Sequence, residues 1–249
     1  MLMTSRVVMV AGAGGGIGQT IAQRFGIEGA SVALCDLNLV GLKETLGMME
    51  PTQTSHSVHQ LDVRDARAVT LVVRDIVGVH GRIDILVNSV GVTRRSSLLQ
   101  MPVDEWDLVL DTNLKSAFLL TQAVALDMVE RGQGGKIIHI ASVSGEIAQA
   151  GKAHYCSSKA GLIHFTRCAA LELGPYAINV NCVSPGPTDT DEIGRRARAD
   201  HEYIKRHRIV LGKLARREDI ADSALFLASS ASDHITGHAL VVDGGESVC

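Results

Sequence analysis

Seven short runs rich in β-branched residues, at 7–10, 32–34, 58–61, 83–87, 136–140, 178–183 and 239–242, alternate with longer helical patterns. Most of the runs are continuously apolar. Strands that alternate apolar and polar residues have one wet face, so continuous runs predict strands buried on both faces of a parallel sheet, with helices covering each side. The intervening stretches fit that demand. Ile17, Ile21 and Phe25 form a stripe that stops at Gly29, and Leu39, Leu42, Leu46 and Met49 form a second. Asp65 is placed to cap a third helix with the stripe Val69, Val72, Val73, Ile76 and Val77. One uninterrupted helical pattern spans 102–131 and opens on Pro102; another spans 154–173 and ends at Gly174-Pro175. The expected architecture is a doubly wound α/β sheet with right-handed crossovers, whose ligand crevice lies at the carboxyl ends of the strands. A length of 249 residues suits one such domain, and no fixed-period repeat or low-complexity linker interrupts it.

Composition removes several function classes. With 24 basic against 27 acidic residues, the formal charge of -3 argues against nucleic acid or an anionic membrane as a partner held by bulk charge. No stretch is long and apolar enough for a membrane span. The four-residue apolar run after Arg6 dissolves into glycines, which does not suit a signal peptide. Five cysteines (Cys35, Cys156, Cys168, Cys182 and Cys249), odd in number and without Cys-x-x-Cys spacing, suit reduced thiols in the cytoplasm. Neither His56 with His59 nor His234 with His238 has a carboxylate or thiol set at ligand spacing, so no metal is expected.

Directly after the first run stands Gly12-x-x-x-Gly16-Ile17-Gly18, opening the first helix. Glycines let a backbone approach a pyrophosphate closely, and the helix start offers free amide donors and the positive end of the dipole. Asp36 ends the second run eighteen positions past Gly18, near the offset expected of a carboxylate that binds the adenosine ribose hydroxyls. Such a carboxylate repels a 2′-phosphate, and between Gly12 and Lys43 the one basic residue is Arg24, inside the helix. Both features point to NAD rather than NADP.

Tyr155 and Lys159 lie four apart on one predicted helix, so they share a face. A phenol is a poor base at neutral pH unless a neighbouring cation favours its phenolate. Two unit charges about 4 Å apart at an effective dielectric of about 20 interact by about 4 kcal/mol, enough to move a pKa by about 3. Ser142 follows the run 136–140, where a parallel strand meets the crevice.

With these motifs, the sequence resembles the short-chain dehydrogenase/reductase family. The resemblance runs from Gly12-x-x-x-Gly16-Ile17-Gly18 through Leu86-Val87-Asn88-Ser89-Val90-Gly91, Asn113, Ser142, Tyr155-x-x-x-Lys159 and Pro185-Gly186 to Val242-Asp243-Gly244-Gly245. It implies a sheet ordered 3-2-1-4-5-6-7, a nicotinamide cofactor, and a catalytic tetrad of Asn113, Ser142, Tyr155 and Lys159. Tyr155 would exchange the proton on the substrate oxygen and Ser142 orient that oxygen. Lys159 would lower the Tyr155 pKa and bind the nicotinamide ribose, and Asn113 would hold a relay water. By the same resemblance Asp36 and Leu37 serve the adenosine, Asp62 and Val63 flank the adenine, and Asn88 and Gly91 line the cleft. Pro185, Gly186, Thr188 and Thr190 approach the nicotinamide end, and a substrate lid spans about 188–212. Gln149 and His154 are candidates for the substrate pocket. A homotetramer is implied, built on helices 102–131 and 154–173.

The sequence departs from the family at Ala11, where threonine is usual, and at Ser89-Val90, which replace asparagine-alanine. The segment 190–211 carries Arg195, Arg196, Arg198, Lys205, Arg206 and Arg208 against Asp191, Glu192, Asp200 and Glu202. A solvated amphipathic helix explains this charge better than an anion site does. The leading expectation is an NAD-linked dehydrogenase for a secondary alcohol or ketone. The alternative is a 3-oxoacyl-thioester reductase, which Gly91-Val92-Thr93-Arg94 and Asp111-Thr112-Asn113-Leu114 resemble and which Asp36 opposes, since those reductases generally use NADPH. A further alternative is a non-catalytic NAD(H) sensor, against which the intact tetrad weighs.

Overall fold

Within each apolar run, successive side chains point to opposite faces, and that alternation decides which helices a strand meets. In the computed structural model, which describes residues 2–49, 54–190, 193–195, 197, 200 and 202–248, the runs are β1 (Val7–Ala11), β2 (Ser31–Asp36), β3 (Ser57–Gln60), β4 (Ile85–Asn88), β5 (Gly135–Ile140), β6 (Ile178–Pro185) and β7 (Ala239–Val242). They form one parallel sheet in the order β3-β2-β1-β4-β5-β6-β7. The architecture and strand order are those expected.

Val8 and Val10 of β1 pack with Val32, Leu34 and Val87 against α1 (Gly16–Ile27) and α7 (Arg217–Ala228), which contribute Ile21, Phe25, Ile220 and Leu227. Met9 and Ala11 face the other way, with Ala33, Leu86 and Ile137, against α3 (Ala66–His80) and α5 (Ser116–Arg131). Each side chain of β1 is therefore in a core. Asp65 caps α3 as expected, accepting hydrogen bonds from the amides of Arg67 and Ala68 at 2.8 and 3.1 Å. Gly81, at φ 79°, closes that helix in the left-handed region.

Two expectations need correction. The stripe assigned to α2 (Leu39–Met48) is only in part its core face: Leu42 is buried and Met49 packs on the core, but Leu39 and Leu46 are 37% and 36% exposed, and Gly41 and Thr45 are buried in their place. Thr45 Oγ1 donates to the carbonyl of Ala13 at 2.8 Å. A Cβ on Gly41 would strike the carbonyl of Gly14. Small residues thus hold α2 against the glycine turn, where a leucine stripe would not fit. The pattern 102–131 is not one helix either. It divides into α4 (Val103–Leu110), a π-turn (Asp111–Lys115) and α5, with the Ser116 amide reaching back five residues to the Asp111 carbonyl. Apolar residues flank the turn on both sides, so periodicity hides the extra residue, and such insertions concentrate at functional sites. The segment 154–173 is helical as expected, within α6 (Ala153–Leu173).

Among the charged residues of the expected lid, Asp191, Glu192, Arg196 and Arg198 lie outside the described residues, as does Cys249. In the described part, Thr188 bridges to Ala215, and Lys205 meets Glu202 on the exposed side of a short helical turn, Tyr203–Arg206.

Candidate active site

Because every strand runs the same way, the carboxyl ends of β1, β2, β4, β5 and β6 open onto one side of the sheet. A cleft of about 670 Å³ lies there, lined from Gly12 and Asp36 at one end to Ser142, Tyr155, Pro185 and Ile193 at the other. At its first end the chain turns from β1 into α1. Gly12 has φ 87°, and a Cβ there would sit 2.9 Å from the Ser89 carbonyl carbon; one on Gly18 would collide with the Gly12 carbonyl. The start of α1 has no side-chain cap and no acidic residue in its first turn. Its orphan amides therefore remain available to an anionic ligand, and a dinucleotide pyrophosphate fits that cradle. Gly16 sits in the same turn at φ 56° with open space around it, and Ile17 and Gly18 line the cleft. Where threonine is missing at Ala11, the main chain supplies the tie, the Ser89 amide donating to the Ala11 carbonyl at 2.8 Å.

Asp36 lies against this turn, its Oδ2 accepting from the Gly14 amide at 3.0 Å and its Oδ1 from the Asn38 amide at 2.9 Å. Leu37 beside it is 59% exposed on the cleft wall. Asp62 and Val63, after β3, complete this end together with Arg64, which was not among the expected site residues. The guanidinium forks onto Asp62, with Nε to Oδ1 at 2.9 Å and Nη2 to Oδ2 at 2.6 Å. That pairing holds the Asp62 carboxyl below the usual carboxylate range. Sequence proximity to the glycine turn would not find Arg64, since it arrives from another strand.

At the other end, Ser142 follows β5 and caps a short 3-10 turn (Val143–Gly145), its Oγ accepting from the Ser144 amide at 3.1 Å. Tyr155 and Lys159 stand on α6, with Lys159 Nζ 5.9 Å from the centre of the Tyr155 ring and donating to the Ile140 carbonyl at 2.8 Å. Burial pulls the Lys159 pKa down to about 8. The expectation that Lys159 lowers the Tyr155 pKa is not met in this geometry. Burial dominates and raises the phenol, opposed by a hydrogen bond with Ser142.

Asn113 and Asn88 stand behind the wall, fully buried or nearly so. Asn88 Oδ1 accepts from the Val90 amide at 3.1 Å. The Asn113 amide clamps Val92, accepting from its N–H at 2.8 Å and donating to its carbonyl at 3.0 Å, and its second N–H goes to Ser158 Oγ at 3.0 Å. With both side-chain N–H groups in use, a relay water at Asn113 would have to be held by donating to a carbonyl oxygen. Gly91 lets the chain pass beneath Lys159, whose Nζ would be 3.3 Å from a Cβ at that position. Pro185, Gly186, Thr188 and Thr190 line the cleft as expected.

His154 and Gln149 do not. His154 is completely buried, held by Glu105 and by the Tyr155 amide, and Gln149 donates to Ser144 Oγ at 3.1 Å outside the cleft wall. The start of a helix packed on α4 leaves the imidazole no path to the cleft. Arg94 does line it, donating to the carbonyl of Thr93 in its own loop. Among the described residues no cluster of three His, Cys, Asp or Glu side chains is set to hold a metal ion.

Residues 12–247 match the family profile described as enoyl-(acyl carrier protein) reductase. The chain belongs to the short-chain dehydrogenase/reductase family. Relatives match it end to end. A human (3R)-3-hydroxyacyl-CoA dehydrogenase is 37% identical over 98% of this chain and 96% of its own. An NAD-dependent glycerol dehydrogenase of Listeria innocua is also 37% identical, over 99% and 95%. The 3-oxoacyl-[acyl-carrier-protein] reductase FabG of Chlamydia muridarum is 36% identical, over 98% of both chains. In structure, this short-chain dehydrogenase/reductase is similar to a short-chain type dehydrogenase/reductase from Mycobacterium marinum, with a TM-score of 0.93 and 34% identity across 99% of this chain and 97% of the other.

Proposed function

We propose that this short-chain dehydrogenase/reductase is an NAD-dependent oxidoreductase that interconverts a secondary alcohol and its ketone. The observation that carries the reading is the meeting, in one cleft, of a partly buried phenol beside Ser142 and Lys159 with an uncapped helix start and Asp36. A bound nicotinamide would supply or accept the hydride at its C4. Tyr155 gives a proton to the substrate oxygen during ketone reduction, a direction its raised pKa favours, and takes it back during alcohol oxidation. Ser142 shares a hydrogen bond with the Tyr155 hydroxyl, so an oxygen held by both lies where the proton moves. Lys159 brings a cation to the floor of the site and can return protons near neutrality, its pKa standing at about 8. Asn113 acts through the wall by fixing the Val92 loop.

NAD is the cofactor on the argument of charge. Asp36 faces the ribose end, and Arg64, the cation that reaches this end of the cleft, is already forked onto Asp62. A 2′-phosphate would bring roughly two negative charges toward Asp36. Wild-type kcat/KM is expected to favour NAD over NADP by at least about tenfold, with Asp36→Ala narrowing the gap. Equal efficiency with NADP would overturn this part of the reading. The mechanism is tested by Tyr155→Phe, which keeps the ring and removes the hydroxyl. Turnover should fall by at least about a thousandfold while NAD affinity measured by calorimetry stays within about twofold. Substantial activity in that variant would exclude Tyr155 as the acid and base.

A second reading, a 3-oxoacyl-thioester reductase or 3-hydroxyacyl-thioester dehydrogenase, draws on Arg94. This cation lines the cleft with no carboxylate within ion-pair distance among the described residues, which suits a substrate bearing phosphate or carboxylate. A panel of neutral alcohols, polyols and acyl thioesters, followed by nicotinamide absorbance, separates the two. The exposed Phe118, Leu126 and Leu171 on α5 and α6 support assembly as a homotetramer. The unpaired thiols of Cys35, Cys156, Cys168 and Cys182 support a reducing, cytoplasmic setting.

A further inference from the structure

Tyr155 is the third residue of α6, so its amide is one of those at a helix start that no carbonyl of the helix can reach. The residue that would normally serve such amides is Lys152, at the cap position, and it makes no side-chain cap bond. His154 serves instead. Its Nδ1 accepts the Tyr155 N–H at 2.9 Å, and its Nε2 lies 3.1 Å from Glu105 Oε1. An Nδ1 that accepts carries no proton, so the proton of the neutral ring is on Nε2, where it can be donated to the Glu105 carboxylate. One tautomer satisfies both bonds, and each partner selects it.

The other side of Tyr155 is held as well. Ser158 Oγ donates to the Tyr155 carbonyl at 2.7 Å while accepting from Asn113 Nδ2 at 3.0 Å. Glu105 is the third residue of α4, and Asn113 lies in the π-turn that continues α4. The two peptide groups flanking Tyr155 are therefore tied, through one side chain each, to the two ends of a single continuous helical segment.

We propose that Glu105 and His154 are positioning residues for Tyr155, fixing the peptide from which its hydroxyl is carried into the cleft. This rests on the reading of Tyr155 as the proton donor and acceptor. Neither side chain touches the cleft, so the pair acts through the backbone alone. A displacement of about 1 Å in a reacting group can cost about a hundredfold in rate, which gives such an anchor kinetic weight.

The test uses His154→Leu, Glu105→Leu and Glu105→Gln, the last keeping an acceptor oxygen for His154 Nε2–H. Amide hydrogen exchange at Tyr155, read by NMR on the cofactor-free protein, needs no substrate. Both leucine variants should lose about tenfold or more of the protection at that amide, and Glu105→Gln should keep it. In turnover, the leucine variants should lose about 10- to 100-fold in kcat with KM for NAD within about twofold, and Glu105→Gln should stay within about threefold of wild type. Thermal melting identifies any variant that merely fails to fold, and Glu105→Gln serves as the folded comparison. Unchanged exchange in His154→Leu overturns the anchor itself. Faster exchange with unchanged kcat overturns its part in catalysis, as does a loss in Glu105→Gln equal to that in Glu105→Leu. A wild-type protein that transfers hydride to no alcohol or ketone would defeat the dehydrogenase reading, and the exchange result would still decide the anchor.

Discussion

Lys159 is charged, nearly inaccessible to water, and satisfied by one carbonyl, that of Ile140. Its pKa of about 8 in the folded chain stands below the ordinary 10.5 because burial penalises the ammonium. Between those two values the unfolded chain holds more protons at this position than the folded one, so the folded state gains stability as pH rises through that window. Below about pH 8 the burial of the charge costs about 3 kcal/mol. Lys159→Met is therefore expected to be more stable than wild type at pH 7 in the absence of cofactor, less the roughly 1 kcal/mol lost with the Ile140 hydrogen bond. The advantage should shrink by pH 9.5. Urea denaturation of both proteins at the two pH values checks it, and a wild type that is the more stable at pH 7 would contradict the burial argument. A group that weakens the free fold in this way is what a site uses when its charge serves a ligand rather than the fold.

At the scale of elements, the helices carry two kinds of end. α3, away from the cleft, is closed at both ends by its own residues, Asp65 and Gly81. The start of α1, which faces the cleft, is left without a side-chain cap. Asp65→Ala is expected to cost about 1 kcal/mol of stability in chemical denaturation and to leave NAD affinity unchanged, because α3 lies on the sheet face and contributes nothing to the cleft wall. A drop in NAD affinity would show that α3 and the cleft are coupled. The turn at 111–115 is the other departure from regular geometry. By making room for one extra residue, it accompanies the placement of the Asn113 side chain across from Val92 and Ser158.

On the whole molecule, the two ends of the sheet have separate work. The carboxyl end holds the cleft; the amino end is fastened by Asp84, which accepts the Val7 amide at 2.9 Å and is surrounded by Arg6, Arg82 and Arg131. Those residues bring together β1, the entry to β4, and the last turn of α5. Asp84 is buried, and removing it would take from Arg6 and Arg82 the carboxylate they share, while Arg131 keeps Asp127. Asp84→Ala should cost about 3 kcal/mol, with kcat at 25 °C unchanged, measured by urea denaturation beside steady-state rates. Loss of activity in folded protein would mean that the two ends communicate.

Local rules were enough for the strands, the Asp65 cap, and the glycine turn, because periodicity, capping and close backbone approach act between residues a few positions apart, whereas the sheet order followed from the resemblance to the family and not from local pattern. The motifs at Ser142, Tyr155 and Lys159 were legible by their spacing, and the parallel sheet brings them to one cleft. Where the outcome depended on what the rest of the chain packs alongside, sequence alone fell short. Leu39 and Leu46 formed a plausible stripe, but α2 must pass close to the Gly14 carbonyl, and Gly41 and Thr45 allow that approach. His154 had the chemistry of a pocket residue, but Glu105, forty-nine positions away, draws its ring into the protein. Arg64 reaches the Asp36 end from another strand. The Tyr155 pKa turns on the balance between burial and the opposing hydrogen bond with Ser142, and both are set by distances that spacing along the chain does not encode. Tertiary structure decided these because desolvation and packing depend on every atom nearby, whereas the pattern of a strand or a cap depends on its own few residues.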